Sequence, residues 1–189
     1  TIRIAATAQS QAEAEAMIAP LLTTIEIRFG EHLLGDETLE QQVARLLAEQ
    51  EVALLLRETI PYAPVFRALS AAPGGDAAIR RGMLVVRAWE DPEPLGQAAL
   101  QHVASATLLD WPRGSGHAVA VIVVADPHAA GAEYTPIHLL AGDGTRAVYT
   151  VRGFDLRIST GYDLVAGGAL DLLRRWLQGE GSNTLGQER

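Results

Sequence analysis

Three short clusters hold the side chains best suited to chemistry: Arg57-Glu58-Thr59, Glu90-Asp91 and Asp126-Pro127-His128. Each follows an apolar run of strand length. Together they offer carboxylates, one hydroxyl and one imidazole, a set that could serve acid/base work or a weak metal site. The chain has neither lysine nor cysteine. That removes a Schiff base, a Ser/Lys dyad, a phosphate-loop lysine and any thiolate nucleophile or ligand. Biased codon use would produce the same absences with the same chemical consequence.

Every candidate has a plainer structural role. Thr59 is a nucleophile only with a base beside it, and capping a helix that begins near Pro61 is its easier task. Asp91 and Asp126 each precede a proline and read as turn initiators. His128 and His138 lie on a loop and a strand, without ligand spacing, and read as surface histidines, so no metal is expected. No G-x-x-x-x-G-K or G-x-G-x-x-G sequence is present, and no cofactor is expected. A phosphate, if bound, must be met by arginine, and Arg57 and Arg87 stand nearest the strand ends.

The elements that would position these residues alternate. Ile2-Arg3-Ile4 reads as a short strand, and Ser10 with Glu13 caps a helix whose apolar residues run from Ala14 to Phe29, with Pro20 expected to kink or split it. Thr38 with Gln41 caps a second helix. Strands are expected at Val52 to Leu56, Met83 to Trp89 and Val119 to Val124, with helices after Pro61 and over Leu95 to Leu108. Such runs, apolar throughout, suit strands buried on both faces. Ile137 to Ala141 and Ala147 to Val151 flank Gly142-Asp143-Gly144-Thr145-Arg146, a hairpin signal. A last helix carries Tyr162, Val165, Ala169, Leu172, Leu173 and Trp176 on one face and stops at Gly179. The fold class is therefore α/β: a three-layer α/β/α sandwich with a mixed central sheet, plus a short N-terminal strand-helix segment. In such sheets ligands collect beyond the carboxyl ends of the strands, which gives the three clusters their weight.

Several stretches resemble the competence/damage-inducible CinA family in that family's order and spacing. They are Ala12-Glu13-Ala14-Glu15-Ala16 with Ala19-Pro20, then Gly35-Asp36-Glu37-Thr38-Leu39-Glu40, and Ala169 through Leu177. The resemblance implies that residues 1–35 end a small KH-like module, that 36–179 form the family's C-terminal domain, and that 180–189 are a flexible tail. In active relatives that domain deamidates nicotinamide mononucleotide. Its motif E-S-x-T-G-G falls on Glu58-Thr59-Ile60-Pro61-Tyr62-Ala63, keeping the glutamate but losing the glycines. Y-S-N-x-x-K falls on Val86 to Asp91, where aspartate replaces lysine. T-G-I-A-G-P falls on Ile122 to Pro127, keeping only Ala125 and Pro127. Glu58, Thr59 and Asp91 are thus the catalytic candidates, and Arg57, Arg87 and Asp126 the ligand-binding ones. The losses fall at the strand ends while the scaffold is kept, which implies a degenerate amidase-like domain acting in binding or assembly. The alternative is an active deamidase using Thr59 with Glu58 or Asp91 as base.

The bulk properties fit that frame. The chain has 189 residues, a formal charge of −8 and a sequence pI near 5.1. The net negative field disfavours nucleic acid and anionic membrane as partners, and the resemblance implies a small nucleotide as the ligand. No apolar run approaches a membrane span and nothing resembles a leader, so a cytoplasmic protein is expected. Thr1 in place of methionine suggests trimming or a fragment. Family members associate through this domain, and Met17, Ile18 and the Pro20 helix could present apolar surface, so a homo-oligomer is expected.

Overall fold

In the computed structural model the described residues are 4–29, 37–80, 83–86, 95–109, 111–112, 115–129 and 132–183. The chain divides into two units, Thr1–Asp36 and Glu37–Arg189. Among its described residues the first has one helix, α1 (Gln11–Phe29), entered through Ser10, whose hydroxyl accepts from Glu13 N at 3.3 Å. Pro20 does not split it. Ile4 lies in no strand, and Ile2 and Arg3 fall outside the described residues.

The second unit is built on a six-stranded sheet in the order β2-β1-β3-β4-β5-β6. Helix α2 (Leu39–Glu49) opens with the expected capping box, in which Thr38 and Gln41 each bond the other's main chain. Strand β1 (Ala53–Glu58) follows, then α3 (Pro64–Ala71), α4 (Gly75–Arg80) and β2 (Met83–Val86). Helix α5 (Gln97–Leu109) leads to β3 (Ala118–Ala125). The hairpin forms as β4 (Thr135–Gly142) and β5 (Arg146–Phe154), and α6 (Ser159–Leu177) closes the second unit with a two-residue β6 (Ser182–Asn183). Residues read as tail therefore reach the sheet, where Ser182 lies opposite Ala147.

β1 runs parallel to β2 and β3, and the β3–β4–β5 pairings are antiparallel, so the sheet is mixed. Leu54, Leu56, Val121, Val123, Ile137 and Leu139 share one core with residues of α2, α3 and α6. Ala120, Ile122, Val124 and Leu140 share a second core with α5. Strand alternation thus sends adjacent residues to opposite layers. Burial of these aliphatic side chains, worth about 1.5–3 kcal/mol for each large one, holds the layers together.

Helix α3 starts three residues later than expected. Its first proline is Pro64, not Pro61, because Tyr62 and Ala63 take positive φ (70° and 44°) and turn the chain before the helix begins. Gly161 explains the tight entry to α6. A Cβ there would lie 1.9 Å from the Asp155 carbonyl oxygen, so the backbones can touch only without a side chain. Gly168, in mid-helix, lies where a Cβ would meet Leu139 at 3.2 Å, and this close packing offsets the cost of a helical glycine. Among the described residues no helix is long and apolar enough to cross a membrane.

Candidate active site

The chain leaves β1 for β2 on one side and returns to β3 on the other, which makes the carboxyl ends of β1 and β3 a topological switch point. Glu58 is the last residue of β1 and its side chain is fully buried. Its two oxygens accept from the first free amides of α3: Oε2 from Val65 N at 3.0 Å and Oε1 from Phe66 N at 3.1 Å. The carboxylate therefore caps the helix at its positive end. Burial pushes the Glu58 carboxyl above its ordinary range, and the two amides pull the other way.

Thr59 does not cap α3. Its amide donates to the Val123 carbonyl at 2.9 Å, and its Oγ1 accepts from Ala125 N at 3.2 Å. The hydroxyl thus bridges the ends of β1 and β3, across the gap where a switch-point ligand would enter. Among the described residues it makes no hydrogen bond to a carboxylate or an imidazole, and so has no group to take its proton.

Asp126 also works within the fold. Its amide donates to Pro136 O at 3.0 Å, its Oδ1 accepts from His128 N at 2.9 Å, and its carbonyl accepts from Ala129 N. These bonds form the turn from β3 into the short 3₁₀ segment Pro127–Ala129. Arg57 alternates to the α5 side of the sheet, away from Glu58. Its Nε is buried with no hydrogen-bond partner among the described residues. Arg87 and Asp91 lie outside the described residues.

Two features escaped the sequence reading. Tyr62 and Ala63 occupy the positions at which the resembled motif has two glycines, yet they keep the left-handed backbone. An L-residue there costs about 1–2 kcal/mol. The Tyr62 ring stands edge-on to Tyr162 of α6, with centroids 5.5 Å apart and planes at 82°, which helps hold the turn. The second feature is His138. It is buried rather than on the surface, and its Nδ1 lies 2.9 Å from the Tyr149 hydroxyl. Burial lowers its pKa, with partial opposition from the charge of Asp126. Hairpin register could have found this pair, since His138 and Tyr149 are diagonal neighbours on one face. Among the described residues no three His, Asp or Glu side chains gather as metal ligands.

No family model matches the chain. A CinA-like protein of Frankia casuarinae is 32% identical over 197 aligned residues, covering 94% of this chain and 44% of that protein. A putative competence-damage inducible protein of Symbiobacterium thermophilum is 38% identical over 85 residues, covering 44% of this chain and 20% of that protein. The chain spans less than half the length of either relative.

Proposed function

The chain belongs to the CinA family, and from that premise we propose that it is a nicotinamide-nucleotide amidase-like domain that has lost deamidation and serves as a binding or assembly module of a larger protein. The observation that carries this reading is the Thr59 bridge. The only hydroxyl at the family's nucleophile position is tied to Ala125 N, and the adjacent carboxylate is committed to two helix amides. An acyl-transfer site needs an activated hydroxyl, a proton acceptor and donors for the oxyanion. The amide of Ala125, which could have been such a donor, is already satisfied by Thr59. Loss of parts that act as a unit can cost on the order of 10⁶ in turnover.

Binding to the ancestral substrate tests this reading without depending on turnover. Titration calorimetry with nicotinamide mononucleotide should show no saturable heat at millimolar ligand. A saturable isotherm would assign the module to binding rather than to assembly alone, and ammonia release from the bound nucleotide would contradict the lost deamidation.

A further inference from the structure

A cavity of about 130 Å³ lies between α5 and the β4–β5 hairpin, at the opposite end of the sheet from Glu58 and Thr59. Its walls come from these three elements alone, and all the lining residues are described ones. Gly142, on its rim, pairs with Ala120 near the start of β3, five residues or about 16 Å along that strand from Ala125. A molecule held here would not touch the switch point.

Small residues leave the space. Where α5 sends Leu100 and Val103 into the second core, it offers only a methyl at Ala104, which faces the cavity together with Leu140 and Ala147, all three buried. The polar part of the wall is Gln101, His102 and Ser105. Gln101 and Ser105 are four apart and share a face of α5, with His102 three before Ser105. None of the three makes a hydrogen bond among the described residues. Ser105 is the informative one. A helical hydroxyl ordinarily bonds the carbonyl four residues back, as those of Thr23, Thr24 and Thr107 do, and Ser105 makes no such bond to Gln101. A Cβ on Gly144 would stand 3.7 Å from Ser105 Oγ, so the hydroxyl faces the hairpin turn.

We propose that this cavity is a binding site for a small uncharged ring that carries a hydroxyl group. Size sets the ring. A cavity of about 150 Å³ holds benzene, so this one takes a single ring and is too small for a nucleotide. The wall sets the charge. No carboxylate or guanidinium lines it, and an ion entering would shed its water without meeting a counter-charge. Hydrogen bonding sets the substituent. A primary amide, a hydroxyl and a neutral imidazole can each donate and accept, and a hydroxyl is the smallest group that answers both ways. The floor of Ala104, Leu140 and Ala147 then takes the apolar body of the ring.

Phenol is the probe. Titrated into the full chain at mildly alkaline pH and followed by amide NMR, it should give saturable shifts at Ser105, Gly142 and Gly144 with one dissociation constant of about 1 mM, while Thr59 and Ala125 stay unmoved. Toluene, which lacks the hydroxyl, should bind about fivefold more weakly, and benzoate, which brings a charge, at least about tenfold more weakly. Ser105→Leu fills the cavity and should abolish the phenol shifts at Gly142 and Gly144. Ser105→Ala keeps the space and the fold, so it should weaken phenol about fivefold and leave toluene unchanged. Absence of saturable shifts at the cavity residues, benzoate binding as tightly as phenol, or phenol affinity unchanged in Ser105→Ala would each overturn the proposal.

Discussion

Glu58 and Thr59 are neighbours with opposite allegiances, and strand alternation is the cause. Glu58 turns toward α3 and satisfies two amides that nothing else reaches, while Thr59 reaches across to Ala125. Glu58→Ala would leave both helix amides buried without acceptors and open a cavity. It should destabilise the domain by about 2–4 kcal/mol in urea denaturation, with Glu58→Gln falling between, since an amide side chain can accept from only one of the two. Equal stability of parent and Glu58→Ala would show that the cap is dispensable and free the carboxylate for another role. These allegiances were only half legible in the sequence. The motif put the two residues at a strand end, but the acceptor and donor they meet come from residues 65, 66 and 125, which proximity in sequence cannot reveal.

At the scale of elements, the parts with local signals were readable and the parts fixed by long-range contact were not. The Thr38–Gln41 capping box, the turn at Asp143-Gly144 and the apolar face of α6 each carry their own chemistry in a short window. The start of α3 does not. Pro61 and Pro64 are equally good first-turn residues by sequence, and the left-handed turn at Tyr62 and Ala63, braced by Tyr162, selects the second. The β4–β5 hairpin holds a pH-sensitive joint, His138 against Tyr149. Because the folded pKa of His138 is depressed, the unfolded chain binds more protons between that value and about 6.5, and stability rises with pH across that window. Its contribution is fully present above the unfolded pKa and is lost as pH falls. By NMR, the His138 ring should titrate with a midpoint below 6.5. A midpoint at or above 6.5 would contradict the buried neutral pairing.

The second unit has the sheet and layers of an α/β domain, and at the carboxyl ends of β1 and β3, where such a sheet receives ligands, the Thr59 hydroxyl accepts from the Ala125 amide. The α/β class and mixed sheet were readable from the order of periodic segments and the hairpin signal. The strand order, with β1 between β2 and β3, was not, since it depends on crossovers that leave no local mark. That order is what brings Thr59 beside Ala125. The bond between Thr59 and Ala125 underlies the proposed loss of deamidation. Ammonia release from nicotinamide mononucleotide, measured at high protein concentration beside a Thr59→Ala variant, tests it most directly. Neither protein should release ammonia above the uncatalysed rate, and turnover in the parent that disappears in Thr59→Ala would overturn the proposed loss of deamidation.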